Sequence, residues 1–380
     1  MILRLDAIDV FSNNAMSLSI EDGYLSSSEA IEKRAGMPYL CPGLIDVQIN
    51  GNLGIDYSGE ELSFEEILTI CRSVAERGTL QHFPTIVTRP ESTIERNLAI
   101  IARSVRQNSL IASEITGIHV EGPYISPVDG PRGAHDLRYV RKPSIKELDR
   151  WIDCSEGLLK IVTIAPEIEG ACEFIEYATR KGIVCSIGHC QPTGDQVDAA
   201  VKAGARVCTH LGNGSAAMLD RLSNHIISIL ANDSIAVTLI ADGAHLPPRA
   251  VNVFSKCRNE DDVVIITDLA PMAGMPKGVM NWGNMTVEIV EDGSVRLAGT
   301  PYLAGAGSPL IRNIGNYVRY TGKKLQAAVK ACTFNPTRIY GLDADRMGLC
   351  VGRKADFIVF DWDEKSSIAN INRVVQGGIQ

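Results

Sequence analysis

The chain has 380 residues, of which 45% are hydrophobic and 22% charged, and its net charge is −8. That balance fits a globular protein long enough for one large barrel and a small accessory unit. A mild acidic excess, with 6% aromatics and no basic stripe among them, argues against nucleic acid or an anionic membrane as the main partner.

From the amino terminus the pattern is one of short strands and turns. Ile2-Leu-Arg-Leu, Ala7-Ile-Asp-Val and Met16-Ser-Leu-Ser-Ile read as strands, and Asp22-Gly23 is a hairpin signal. Ala355-Asp-Phe-Ile-Val-Phe-Asp361 reads as another strand near the far end. Both pieces are too short to bury a core alone. The expected division is a small β-sandwich-like domain built from 1–42 and 349–380, around a barrel over 43–348.

From Pro42 apolar strand candidates alternate with amphipathic helix candidates. The strands begin near Gly43, Leu80, Ile115, Leu159, Ile183, Arg206, Ile235 and Val263. The clearest helices begin at Ser63, Ser144, Gly170 and Gly194. About eight strand–helix units over this length predict a (β/α)₈ barrel, and continuous apolar runs suit strands buried on both faces. A doubly wound open sheet gives the same alternation. After Asp268 a hairpin is expected over 284–297, turning at Asp292-Gly293, followed by helical stretches from Pro309 and Lys324. No Gly-x-Gly-x-x-Gly follows the first strand and no P-loop is present, which argues against nucleotide binding.

The amino terminus lacks the basic and apolar regions of a signal peptide. No uncharged apolar run reaches the roughly 18 residues of a membrane span. Ten cysteines without a secretory leader read as reduced thiols. A soluble cytoplasmic protein is expected. Cys185 and Cys190 flank His189, but no second pair at zinc-finger spacing accompanies them.

Polar residues recur at the carboxyl ends of the strand candidates, the active face of such a barrel. They are Asp46, Gln48 and Asn50, then Glu121, His189, His210, His245 and Asp268. One carboxylate and two imidazoles, the latter His189 and His210 at the ends of neighbouring strand candidates, make a zinc-type set that leaves a coordination position open. Each histidine alone would equally suit a core or capping position. Asp268, free of the metal, could carry protons during hydrolysis; alone it would also suit a helix N-cap.

These motifs resemble the amidohydrolase superfamily, and within it the N-acetylglucosamine-6-phosphate deacetylase family. The matching runs are Pro42-Gly-Leu-Ile-Asp-Val-Gln-Ile-Asn-Gly51, His119-Val-Glu-Gly-Pro123, Gly133-Ala-His-Asp136, Val162-Thr-Ile-Ala-Pro-Glu167 and Gly188-His189. Thr209-His-Leu-Gly-Asn213, Ile240-Ala-Asp-Gly243 with His245, Thr267-Asp268, Asn335-Pro336 and Gly352-Arg-Lys-Ala-Asp356 follow in family order. The resemblance implies that Glu121, His189 and His210 hold a metal and that Asp268 is general base and then general acid. It implies that His135 polarises the acetamide carbonyl and that Asn213 and Gly214 meet the sugar. It assigns the 6-phosphate to His245 and Arg221, the arginine reaching in from a second subunit, so a homodimer is implied. Taken alone, His135 could cap a loop and Arg221 could be a solvated surface residue.

Many superfamily members place His-x-His after the first strand and bind two metals. Gln48 and Asn50 stand at those positions here, as remnants of a second metal site, and amides are weak ligands for zinc. One divalent ion is therefore expected, zinc foremost, with iron, manganese or nickel also compatible with the donors. Three sugar-facing segments depart from the family pattern: Gly212-Asn-Gly-Ser-Ala-Ala-Met218, Asp220-Arg-Leu-Ser223 and Thr300-Pro-Tyr-Leu-Ala-Gly305. The other classes compatible with the chain are a cyclic amide hydrolase, a dipeptidase, a deaminase, or a barrel acting as a silent scaffold.

Overall fold

The computed structural model describes residues 2–282, 285–291, 293–300 and 303–377. Asn284, Asp292, Pro301 and Tyr302, named in the expected hairpin and in one departing segment, lie outside the described residues. So does Met1.

Eight parallel strands form one sheet. They are β5 (Leu44–Ile49), β6 (Thr79–Val87), β7 (Ile118–Glu121), β8 (Leu159–Ile164), β9 (Val184–Ile187), β10 (Val207–Cys208), β11 (Ala236–Ile240) and β12 (Val263–Ile266). Each strand pairs with its neighbours in sequence, from β5 to β12. Helices follow each strand, among them Phe64–Ala75, Glu91–Gln107, Ile145–Cys154, Ala171–Arg180 and Gly194–Ala203. Ser63 and Thr193 each close a reciprocal capping box at the start of their helix. Alternation along the strands sorts the apolar side chains. Ile45, Val47, Phe83, Ile161, Val207, Val264 and Ile266 form one cluster. Leu44, Ile86, Val120, Val162, Cys185, Val237 and Ile265 belong to a second that also takes in helix residues such as Ile67, Leu98, Trp151 and Phe174.

The seam between β5 and β12 has no continuous ladder. At the site end, the Asn50 amide donates to Leu269 O (2.9 Å), and Ile49 and Leu269 form an isolated parallel bridge. At the other end a late stretch of backbone fills the gap. Ile265 N donates to Ala331 O (3.1 Å) and Ile45 N to Cys332 O (2.8 Å). Between the two, the buried Asp46 carboxylate on β5 accepts from Thr267, just past β12. The barrel is thus closed, by side-chain and inserted-backbone bonds.

The two chain ends meet in one six-stranded sheet. It contains β1 (Ile2–Asp9), β2 (Ala15–Glu21), β3 (Tyr24–Ala30), β4 (Tyr39–Pro42), β17 (Phe357–Asp363) and β18 (Ile368–Val375), in the order β18-β17-β4-β1-β2-β3. The β2–β3 turn is Asp22-Gly23, with φ of +50° and +80° at the two residues; positive φ at both is the type I′ requirement. Phe357 and Val359 pack with Leu18, Leu25 and Leu40, whereas Ile358 and Phe360 join the main barrel core. A four-stranded antiparallel sheet stands between β12 and the helix Leu310–Thr321: β13 (Gly278–Trp282), β14 (Met285–Ile289), β15 (Val295–Leu297) and β16 (Leu303–Gly305). The expected hairpin is its middle pair.

The cysteines are free thiols, with Cys41, Cys71, Cys185, Cys190, Cys208 and Cys332 buried. No helix among the described residues is long and apolar enough to cross a membrane.

Glu114, fully buried, is held by the Gln376 amide (Nε2 to Oε1, 3.1 Å) next to the end of β18. Burial pushes its carboxyl up from 4.5 to about 7. A raised carboxyl pKa contributes stability that is fully present below about pH 4.5 and is lost as pH rises through about 7. Glu114→Gln, a neutral isostere, should therefore leave thermal unfolding near wild type at about pH 4.5. At pH 8.5 it should raise the midpoint by a few degrees, on the order of 2–3 kcal/mol. Scanning calorimetry at the two pH values checks this; equal midpoints at pH 8.5 refute it.

Candidate metal centre and active site

The polar residues at the strand ends converge. Glu121 ends β7, and His189 and His210 follow β9 and β10 by two residues each. His210 Nε2 lies 2.9 Å and His189 Nε2 3.4 Å from the same oxygen, Glu121 Oε1. Ligand atoms of these three buried residues all lie within 4.8 Å of one another. No other group of this kind occurs among the described residues. Cys185 and Cys190 are not part of it.

Several bonds fix this geometry. His189 Nδ1 is 2.8 Å from the Pro131 carbonyl. A carbonyl can only accept, so the proton is on Nδ1 and the Nε2 lone pair faces Glu121 when the ring is neutral. Gly214, at φ +57°, lies against the same ring; a Cβ there would sit 2.8 Å from His189 Nδ1. Beneath the site, His119 Nε2, Thr163 Oγ1, Thr209 Oγ1 and Ser186 Oγ form a buried chain of contacts of 2.7, 2.8 and 2.5 Å. Thr238 Oγ1 accepts from the His210 amide at 2.6 Å. His189, His210 and Asp268 have φ of +48°, +31° and +54°. Non-glycine residues hold such angles only where the surroundings over-determine them, commonly at functional sites.

His135 arrives from the loop after β7. Its Nε2 is 3.3 Å from His189 Nε2 and 3.9 Å from Glu121 Oε2. Its Nδ1 meets Thr88 Oγ1 at 2.8 Å and receives the Thr88 amide at 3.4 Å. An amide N–H can only donate, so Nδ1 is the acceptor and the neutral ring carries its proton on Nε2, toward the site. Thr88 was absent from the sequence reading. Its signal was present, a polar residue just past the apolar run 79–87.

Asp268 faces the centre from beyond β12. Its Oδ1 accepts from Asn50 Nδ2 (2.7 Å) and Gln48 Nε2 (3.0 Å), and Gln48 Nε2 also reaches Glu121 Oε1 (2.9 Å). Gln48 therefore spans the two carboxylates, while Asn50 contacts Asp268. No helix starts at Asp268; Leu269 continues into bridges with Ile49 and Ala306.

Electrostatics separate the two acids. Burial pushes the Glu121 carboxyl up, but the His189 and His210 imidazoles outweigh it and hold it well below the ordinary range. Burial and then the Glu121 charge raise Asp268, against opposing contributions from His210, His245 and Asn50. Burial and the neighbouring His189 hold His135 well below the usual imidazole value, so it is neutral. A buried carboxylate needs a cation or a full set of donors. A divalent ion fits among Glu121 Oε1 and the two Nε2 atoms, because that donor set is the three-ligand type that leaves positions open.

The remaining predicted residues are more peripheral. Asn213 follows His210, and its amide and Nδ2 both donate to the His210 carbonyl (2.8 and 3.3 Å). His245 Nδ1 is 2.7 Å from Asp242 Oδ2, with the ring mostly buried. Arg221 is exposed between β10 and the helix His225–Ala231 and makes no hydrogen bond or ion pair among the described residues. Within one chain it is not brought into the cluster.

A closed parallel barrel, with a carboxylate and two imidazoles at its carboxyl-end mouth and a further carboxylate across from them, defines a class. The amidohydrolase family profile matches residues 39–379, and the chain belongs to that family. Within it the chain falls among the N-acetylglucosamine-6-phosphate deacetylases. It is 31% identical over 340 residues to the N-acetylglucosamine-6-phosphate deacetylase of Rattus norvegicus, covering 87% of this chain and 81% of that one. It is also 31% identical over 349 residues to an N-acetylgalactosamine-6-phosphate deacetylase of Escherichia coli O157:H7, covering 90% of each. The crystal structure of N-acetyl-D-glucosamine-6-phosphate deacetylase from Mycobacterium smegmatis superposes with a TM-score of 0.86 at 28% identity, covering 100% of this chain and 99% of that one.

Proposed function

We propose that this protein hydrolyses the acetamide of an N-acetylated amino sugar phosphate, N-acetylglucosamine-6-phosphate foremost, giving acetate and the amino sugar phosphate. The observation that carries this reading is the convergence of Glu121, His189 and His210 opposite Asp268, with Gln48 between the two carboxylates. Glu121, His189 and His210 would hold one divalent ion, zinc foremost, with iron, manganese and nickel the other candidates. When bound, such an ion supplies Lewis acidity, polarising a carbonyl and lowering the pKa of water.

The chain's own groups do the rest. Asp268 accepts a proton from the attacking water and returns it to the amine nitrogen as the C–N bond breaks. His135 donates its Nε2 proton in a hydrogen bond to the carbonyl oxygen as negative charge develops there. Gln48 and Asn50 hold the Asp268 carboxylate rather than a second ion. Asn213 and Gly214 face the sugar. His245, with Arg221 from a second copy of the chain, meets the 6-phosphate, for which the planar guanidinium offers paired charge-assisted bonds; a homodimer follows from that role. A small β unit, 1–42 with 349–380, around a hydrolase barrel, 43–348, belongs to the same reading. So does a cytoplasmic location, which suits ten free cysteines.

The test is acetate release from N-acetylglucosamine-6-phosphate, its galacto epimer and the two unphosphorylated sugars. No release from any of them refutes the reading. In the same assay His245→Ala should raise KM for the phosphorylated sugar about tenfold or more and leave KM for the unphosphorylated one unchanged. An equal change for both sugars would remove His245 from the phosphate.

A further inference from the structure

Asp46 is a fully buried carboxylate on β5 for which no cationic partner occurs among the described residues. Burial without a cation is costly, and here it is met by donors from two places in the chain. Its Oδ1 accepts from the backbone amides of Gln48 (3.2 Å) and Thr267 (3.3 Å). Its Oδ2 accepts from the Thr267 amide (3.2 Å) and the Thr267 hydroxyl (2.5 Å). Both partners adjoin the Asp268 carboxylate: Thr267 precedes it in the chain, and the Gln48 side chain donates to it.

The Thr267 hydroxyl does a second thing. Having given its proton to Asp46, it accepts from the Leu269 amide at 3.1 Å. The bond spans the residue between, Asp268, whose φ is +54°. Leu269 is held on its other side by the Asn50 amide (2.9 Å). Outside a tight hairpin turn, such an angle is held by the surrounding structure. One flank here is pinned by a hydroxyl whose own direction is set by Asp46.

We propose that Asp46 is a positioning residue for the reaction: through Thr267 it holds the turn that aims the Asp268 carboxylate at the metal-ligand cluster. The inference rests on the reading of Asp268 as the proton carrier. Asp46 itself touches no reacting atom. An aspartate retained only to close the barrel would affect the fraction folded and the unfolding midpoint, not turnover per folded, metal-loaded molecule.

The test uses full-length, metal-loaded protein, with metal content and thermal unfolding measured for each variant. Asp46→Asn and Thr267→Val should each lower kcat at least tenfold, with KM for N-acetylglucosamine-6-phosphate within about twofold of wild type; small displacements of catalytic groups act in this way. Thr267→Ser, which keeps the hydroxyl, should stay within about threefold of wild-type kcat. Folded, metal-loaded Asp46→Asn with wild-type kcat overturns the proposal, and so does Thr267→Val matching Thr267→Ser. A crystal structure of Asp46→Asn gives a readout independent of turnover. The Asp268 carboxylate should leave Gln48 and Asn50; contacts unchanged from 3.0 and 2.7 Å refute the positioning role even if the wild type releases no acetate.

Discussion

Asp268→Asn is expected to lower kcat for acetate release by about three orders of magnitude, within the range general acid–base catalysis supplies. KM should change by no more than a few-fold. The substitution is nearly isosteric. An asparagine carbonyl oxygen can still accept from Asn50 and Gln48, which now bond Oδ1 at 2.7 and 3.0 Å. What it cannot do is take a proton from water and deliver it to nitrogen. No nearby group is placed to substitute. His135 already has its proton on Nε2, because Nδ1 receives the Thr88 amide, so it faces the site as a donor. Glu121 is engaged by His189, His210 and Gln48. Turnover of purified, metal-loaded variant within tenfold of wild type would move the proton-transfer role to another residue. The metal content of the variant should match wild type, since Asp268 is outside the ligand set.

Glu121→Ala should act on a different quantity. It removes the one anionic ligand and leaves two neutral imidazoles, a weak site for a divalent ion. Bound metal should fall from about one ion per chain to less than about a tenth by elemental analysis, and kcat should drop at least 10³-fold. Stability provides a second readout. A ligand that binds only the folded state stabilises it by about 4 kcal/mol when present at 1,000 times its dissociation constant. A chelator should therefore lower the unfolding midpoint of the wild type but leave that of Glu121→Ala unchanged. A variant that keeps stoichiometric metal would refute the ligand assignment. Full wild-type activity in prolonged contact with chelator would count against metal dependence itself.

Much of this arrangement was legible in the chain because two simple signals coincide. All eight barrel strands were visible as apolar runs, and the chemistry stands just past their ends, where such a barrel opens. That is how Glu121, His189, His210 and Asp268 could be named from spacing, and the resemblance then brought in His135. What escaped was partnership across long stretches of sequence. Thr88 and His135 are 47 residues apart, and Asp46 and Thr267 are 221 apart. No periodicity reports such pairs. The long helix Glu91–Gln107 went unnamed although Ile94, Leu98 and Ile101 recur at helical spacing on its buried face; it begins at Pro90 without a side-chain cap, so the usual start signal is missing. Of the sheet β13 to β16 only the middle hairpin is legible, because β13 opens on Gly278 and β16 is three residues ending in Gly305.

The seam of the barrel bears on the order in which the molecule can be made. β5 and β12 are joined at one end through the carbonyls of Ala331 and Cys332, and β4 has β17 as its neighbour on one side. A nascent chain that has emerged only as far as β12 therefore holds every strand of the barrel but not the backbone that closes it. Its first four strands still lack the pair that completes their sheet. Both closures wait on later segments, Ala331 and Cys332 for the barrel and β17 with β18 for the small sheet. Until then the exposed edges of β4 and β5 are where a growing chain is open to mispairing with another.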